Sequence, residues 1–307
     1  MRDAAPQTIY LADYTPFGFI IDSVALHFDL DPHKTRVKST IAFRPNPDAT
    51  DPTFFLHGEK LNLISAKIDG KPVTPDVTAE GLTCDVPNAP FVWESEVEID
   101  PTGNTALEGL YMSNGMYCTQ CEAEGFRKIT YYPDRPDVMA VFTVTINGPH
   151  PVLLSNGNPV SNDTHSAEWH DPWPKPAYLF ALVAGDLVAH PGSFTTKSGR
   201  DVTLNLYVRP GDEGKCAFGM QALKDSMKWD EEVYGREYDL DLFNIVAVDD
   251  FNMGAMENKG LNVFNSSAVL ASPETSTDMN FERIEAIIAH EYFHNWTGNR
   301  ITCRDWF

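Results

Sequence analysis

The sequence is short of positive charge and has no long apolar run. Its 23 lysines and arginines face 44 aspartates and glutamates, which gives a formal net charge of −21 over 307 residues. Such a surface repels phosphate backbones and anionic lipid, so we expect neither a nucleic-acid partner nor a membrane partner. No stretch approaches the 18 uninterrupted apolar residues of a membrane-spanning helix, and no apolar run near Met1 indicates a signal peptide.

Cysteine is also scarce. The five cysteines are odd in number and scattered, unlike the disulfide framework of a secreted protein, and we expect a reducing cytoplasm as the compartment. Cys118 and Cys121 form a C-x-x-C pair, which could be a redox pair or half of a zinc site. No second C-x-x-C exists and no thioredoxin-like context surrounds it, so we interpret the two as ordinary thiols.

The first part of the chain reads as strands and turns. Apolar residues make up 42% of the sequence, which is enough for a folded protein, and the length suits two domains, each with its own core. Alternating apolar residues predict a hairpin from Val24–Leu30 and Val37–Phe43, turning at Asp31. Further predicted strands are Leu63–Ile68, Phe142–Ile146, Val152–Leu154 and Tyr178–Val183. The pattern predicts an antiparallel β-sandwich-like domain over residues 1–186.

After residue 186 helices join the strands. We predict a strand over Val202–Val208, a helix from Ala217 to Tyr234, and buried strands over Leu242–Val248 and Leu261–Phe264. In the helix, Leu223, Met227 and Val233 are expected to face inward, with Gly235 at the end. The whole chain is therefore expected to be α+β, with a second, partial α/β domain over residues 187–307.

A metal-binding pattern lies in the last predicted helix. His290-Glu291-Tyr292-Phe293-His294 is an H-E-x-x-H sequence, which puts two imidazoles one above the other on a helix face. That spacing lets both reach one tetrahedral Zn²⁺, with Glu291 placed to act as a base. Thr277 or Asp278 is a candidate cap, and Gly298 a candidate stop. The alternative is a buried amphipathic helix whose histidines are satisfied by hydrogen bonds.

A second motif precedes this helix. Gly254-Ala255-Met256-Glu257-Asn258 lies between two predicted strands, and its glycine would allow a close approach of backbone to a ligand. A carboxylate beside a metal could hold a cationic amine. Taken alone, the motif would more readily be a surface connection with a solvated glutamate.

The two motifs in tandem resemble the zinc aminopeptidases of the gluzincin class, and the bacterial members in particular. Three other stretches share the resemblance, namely residues 104–111, 118–127 and 294–300. It implies a thermolysin-like catalytic domain that binds one Zn²⁺ and releases N-terminal amino acids from short peptides. His290 and His294 would be zinc ligands, and Glu291 the general base.

The resemblance also implies an amine site. Glu257 and Glu122 would hold the free α-amino group of a peptide by charge pairing, with Gln120 nearby. Met253 would border the pocket for the first side chain. The segment that would line the substrate backbone consists of Gly254, Ala255, Met256 and Asn258. An internal peptide bond offers no ammonium, so substrates need a free N-terminus.

In one respect the sequence departs from this family. The third zinc ligand would be a glutamate about nineteen positions after His294, which lies beyond Phe307. We therefore expect the chain to be an incomplete part of a longer, monomeric protein, with weak zinc binding and little or no activity of its own. Apolar side chains such as Ile284, Ile287 and Ile288 would then lack cover.

Two other functions remain open. An epoxide-hydrolysing relative of the leukotriene-hydrolase type uses the same zinc, but that branch typically carries G-G-M-E-N, and Ala255 favours the aminopeptidase. A catalytically silent fragment or interaction module is the other. The intact His290, Glu291 and His294 count against a silent member, whereas the absent third ligand favours a silent fragment.

Overall fold

A computed structural model describes residues 8–307. Up to residue 186 these form fifteen strands and three short 3₁₀ helices, and the rest form five strands, two short 3₁₀ helices and two α-helices. The first strands are β1 Phe19–Asp29, β2 Thr35–Pro45, β3 Phe55–His57, β4 Asn62–Ile68, β5 Lys71–Pro72, β6 Asp76–Val77, β7 Gly81–Thr83 and β8 Phe91–Ile99. Next come β9 Gly109–Ser113, β10 Met116–Gln120, β11 Met139–Asn147, β12 Val152–Ser155, β13 Asn158–Asp163, β14 Ser166–Pro176 and β15 Leu182–Gly185.

The remaining strands are β16 Val188–Thr195, β17 Asp201–Val208, β18 Leu242–Val248, β19 Ala255–Met256 and β20 Leu261–Asn265. The α-helices are α1 Ala217–Val233 and α2 Asp278–Phe293, and the 3₁₀ helices are Leu11–Asp13, Phe126–Lys128, Ala177–Leu179, Glu213–Lys215 and Ser266–Ala268. No helix in residues 8–307 is long and apolar enough to cross a membrane.

The predicted first hairpin is confirmed. Strands β1 and β2 pair antiparallel with Phe28 opposite Val37. The Asp31 carboxylate closes the turn by accepting hydrogen bonds of 2.9 Å from the backbone N–H groups of His33 and Lys34. This hairpin belongs to an eight-stranded sheet with the strand order β13-β14-β11-β1-β2-β8-β4-β5.

The first part of the chain forms the predicted β domain, but one pair of its strands is parallel and not antiparallel. Strands β1 and β11 run parallel in the centre of the eight-stranded sheet. A four-stranded sheet (β12-β15-β10-β9) and a three-stranded sheet (β3-β7-β6) complete this part. Their apolar faces share one core, in which Phe28 stacks on Phe180 with ring centroids 6.0 Å apart.

The strand predicted over Tyr178–Val183 is wrong in its first half. Ala177–Leu179 is a 3₁₀ turn, and β15 begins only at Leu182. All of these residues are buried, so the run is apolar because of tertiary packing and carries no strand periodicity.

The second part of the chain is built on a five-stranded sheet, β16-β17-β18-β20-β19, whose inner strands β17, β18 and β20 are parallel. Its residues alternate between two cores. Val246 and Val263 face the β domain, whereas Ile245 and Phe264 face helices α1 and α2. Both faces are therefore covered, which explains the uninterrupted apolar run of Leu242–Val248.

The two α-helices pack on the far side of this sheet. Leu223 and Met227 are buried as predicted, but Val233 is 54% exposed because it is the last residue of the helix and lies about 120° around the helix axis from Met227. In α2, Ile284 and Ile288 are buried in the core between helices and sheet. The expectation that Ile284 and Ile288 lack cover is therefore wrong, and Ile287, named with them, is partly buried against the same core.

Candidate metal and amine site

Helix α2 presents the H-E-x-x-H residues at one edge of the second core. Thr277 and Asn280 form a capping box at its N-terminus, in which the Thr277 N–H donates to Asn280 Oδ1 at 2.8 Å. Ile284, Ile288 and Tyr292 bury the inner face. The helix ends at Phe293 with His294 as its C-cap, so the predicted stop at Gly298 is wrong.

The two histidines meet edge to face on this helix. Their Nε2 atoms are 3.0 Å apart. His294 Nδ1 lies 2.7 Å from the carbonyl oxygen of Thr297. Because a carbonyl can only accept, Nδ1 carries the hydrogen and Nε2 keeps its lone pair. The 3.0 Å separation also fits a hydrogen bond in which His290 Nε2 donates to His294 Nε2, so the alternative in which hydrogen bonds satisfy both histidines stays open beside the metal site.

The donor set fits Zn²⁺. Two nitrogens that bind one ion at about 2.0–2.1 Å lie roughly 3.3 Å apart at the tetrahedral angle, close to the observed pair. Ligand atoms of His290, Glu291 and His294 all lie within 4.8 Å of one another. The hydrogen bond between His294 and the carbonyl oxygen of Thr297 is of the kind that fixes the orientation of an imidazole for metal binding.

Three carboxylates surround this pair. Glu291 is only 7% exposed, and burial raises its pKa to about 8, with the Glu257 and Glu122 carboxylates adding to the rise. Burial also raises the pKa of Glu122, again with Glu257 adding to it, whereas His294 acts in the opposite direction. The electrostatics of the site therefore favour a cation among these groups.

Glu257 lies in the segment that connects β18 to β20. The segment includes β19, which pairs with β20 through Ala255 and Met256. Glu257 is 8% exposed and Asn258 is fully buried, so the interpretation as a surface connection with a solvated glutamate is wrong. Neighbouring atoms do not require a glycine at position 254. A Cβ added there would make only an ordinary van der Waals contact with Ile287, at 3.7 Å.

The β domain supplies the rest of the site. Gln120 ends β10, is 1% exposed, and its Nε2 lies 3.4 Å from both Met253 Sδ and the carbonyl oxygen of Glu122. Met253 is 40% exposed. The fold thus brings Gln120, Glu122 and Met253 together with Glu257 and helix α2, although Gln120 and Met253 are 133 residues apart in the sequence.

The C-x-x-C pair is inert. Cys118 and Cys121 are both fully buried and unpaired, and burial raises the pKa of Cys118 to about 12 and that of Cys121 well above its usual value. Neither thiol is a thiolate at neutral pH, so the interpretation as ordinary thiols is confirmed.

Several residues behind the site were not predicted from the sequence. They are Lys259, Asn295 and Asn299, which are buried, and Asp239, which is partly buried, and they contact one another or the backbone of Glu257. Their pairing spans up to 56 residues of sequence, and no spacing rule indicates it. The one available signal was two asparagines in the stretch 294–300 that shares the family resemblance.

Comparisons with known proteins agree with this geometry. The family model described as the Peptidase M1 N-terminal domain matches residues 16–179, and that described as the Peptidase family M1 domain matches residues 218–307. Aminopeptidase N of Caulobacter vibrioides is 58% identical over 100% of this chain and 37% of its own length. Aminopeptidase N of Escherichia coli is 53% identical over 98% of this chain and 36% of its own length.

The fold is also similar to that of an aminopeptidase of known structure. Aminopeptidase A of Legionella pneumophila, crystallised in complex with aspartic acid, superposes with a TM-score of 0.91 at 37% identity. The superposition covers 96% of this chain and 36% of that one. The chain therefore spans little more than a third of the length of the relatives it matches.

Proposed function

Because this chain belongs to peptidase family M1, we propose that it supplies the amine site and two zinc ligands of an aminopeptidase that acts on peptides with a free N-terminus. The observation that carries the proposal is the convergence of Glu122 and Glu257, from separate domains, beside the His290–His294 pair. Two carboxylates that share a buried site with an imidazole pair suit an ammonium group next to a metal.

Each residue has a proposed task. His290 and His294 would hold Zn²⁺, and Glu122 and Glu257 would bind the α-ammonium group and so place the first peptide bond at the metal. Met253 borders the first side chain, and Gln120 supports Met253. When bound, Zn²⁺ lowers the pKa of a water molecule and polarises the scissile carbonyl. Glu291 would hold the proton of the attacking water at its carboxylate and deliver it to the leaving amine.

The proposal also covers the third zinc ligand and the cellular compartment. The relatives are nearly three times as long, so we propose that a third zinc ligand comes from outside these 307 residues and that the chain alone has little activity. Five unpaired cysteines support a cytoplasmic location. The short coverage favours one second candidate, a silent fragment that acts as an interaction module.

The test compares free and blocked substrates in the full-length enzyme that we propose. Leucine anilide should be hydrolysed and N-acetyl-leucine anilide should not, because acetylation removes the ammonium. In a matched variant, Glu291→Gln should lower turnover by about 10²–10⁴-fold while the zinc content stays unchanged. Equal cleavage of both anilides would overturn the amine site, and loss of zinc in the variant would overturn the role of Glu291 as base.

A further inference from the structure

Two chain segments meet behind the amine site. We call residues 254–259, which carry Glu257, the anchor segment, and residues 294–302, which follow α2, the post-helix turn. The post-helix turn begins with His294 and contains Thr297, the hydrogen-bond partner of the His294 imidazole. Each segment therefore carries a residue of the proposed site, Glu257 in the anchor segment and His294 in the post-helix turn.

Two direct hydrogen bonds join them. Asn299 Nδ2 donates to the carbonyl oxygen of Glu257 at 3.0 Å. Lys259 Nζ donates to Asn295 Oδ1 at 2.6 Å. Asn299, Lys259 and Asn295 are 4%, 1% and 2% exposed, so water does not compete for these bonds.

Asp239 completes the connection. Its carboxylate accepts from Lys259 and, at 2.5 Å, from Arg300 of the post-helix turn. The Arg300 guanidinium also lies 3.8 Å from the centre of the Trp173 ring. A lysine this deeply buried requires a charge partner, and here the partner also binds the opposite segment.

We propose that Asn299 and Lys259 are positioning residues that hold the Glu257 carboxylate at a fixed distance from the imidazole pair. The inference rests on the proposed function. In an exopeptidase, the substrate ammonium and the bond that is cut are separated by one residue, so the amine site and the metal must lie at a fixed distance. A displacement of about 1 Å between the Glu257 carboxylate and the metal would lower the rate by about 10²-fold. Tying Glu257 to the turn that orients His294 prevents that displacement.

The experiment measures amine binding without relying on metal or turnover. L-leucinamide is titrated into the 307-residue chain and followed by NMR, with N-acetyl-leucinamide as the blocked ligand. Asn299→Leu has nearly the same volume but no donor, and Lys259→Met leaves Asp239 paired with Arg300. The matched control is Asn104→Leu, which also loses side-chain bonds to backbone carbonyls, those of Glu108 and Leu110, but in the β domain.

Asn299→Leu and Lys259→Met should each weaken leucinamide binding about tenfold. Asn104→Leu should bind like the unmodified chain, even where its melting temperature falls. Unchanged affinity in both site variants would overturn the positioning role while leaving the amine site intact. Failure of the unmodified chain to bind leucinamide would overturn the amine site itself, and an equal loss in all three variants would reveal a general stability effect and reject the inference.

Discussion

At the scale of single residues, burial and the proximity of three carboxylates determine the electrostatics of the site. Burial raises the pKa of both Glu291 and Glu122, and repulsion from the neighbouring Glu257 carboxylate adds to each rise. A metal ion and a substrate ammonium relieve this repulsion. The same features that raise the pKa of Glu291 therefore give the site its preference for cations.

A partly buried histidine in the β domain gives a prediction about pH. His57 Nδ1 accepts a hydrogen bond of 3.1 Å from the backbone N–H of Asp134, and burial lowers the His57 pKa to about 4. Between that value and the ordinary pKa of 6.5 the unfolded chain binds more protons, so the free energy of unfolding falls as the pH falls. Between pH 7 and pH 5 the loss from His57 should be about 2 kcal/mol.

Urea unfolding of the unmodified chain and of His57→Gln at pH 7, 6 and 5 checks this. Burial raises the Asp134 pKa to about 6, which has the opposite effect on stability in the same range. That effect is common to both proteins, so their difference isolates His57. The unmodified chain should lose more stability than the variant, and parallel pH profiles would contradict the assignment.

At the scale of elements, helix α2 is the part that the sequence predicted best. Its H-E-x-x-H spacing and its Thr277 cap are local properties of one helix, whereas the cover over Ile284 and Ile288 comes from other elements and was not expected. The burial of Glu257 and the Lys259–Asp239–Asn295 contacts depend on which segments meet in space. Likewise, the parallel pairing of β1 with β11 and the 3₁₀ turn at Ala177 follow from tertiary packing, which a single sequence does not reveal.

The cap of α2 gives a prediction of its own. Thr277→Ala removes the side-chain half of the capping box and should lower the free energy of unfolding by about 1 kcal/mol. Thr277→Ser keeps the hydroxyl and should cost much less. Thermal and urea unfolding of the three proteins measure the difference. Equal stabilities for the alanine and serine variants would show that the cap does not stabilise the helix.

At the scale of the whole molecule, the five-stranded sheet joins both parts of the chain. One of its faces belongs to the core of the β domain and the other to the core under α1 and α2. Two cores are therefore present, but sheet residues such as Val246 and Val263 extend the core of the β domain into the second part of the chain, and the boundary near residue 186 stays a prediction. A shared core should make the two parts unfold together.

Val246 tests this coupling. It is fully buried between the sheet and the β domain, and Val246→Ala should cost about 2 kcal/mol in a single transition seen alike by tryptophan fluorescence and far-ultraviolet circular dichroism. Val233→Ala is the matched control, since Val233 is 54% exposed and should change stability little. Two separate transitions, of which only one shifts in Val246→Ala, would contradict a shared core.

The most direct measurement is a zinc titration of the 307-residue chain and three variants by calorimetry. With His290 and His294 as its ligands here, the chain should bind one Zn²⁺, more weakly than a site with three protein ligands. His290→Ala and His294→Ala should each abolish this binding, and Glu291→Gln should retain it. Zinc binding that survives both histidine substitutions, or that disappears in Glu291→Gln alone, would contradict the metal site on which the proposed function rests.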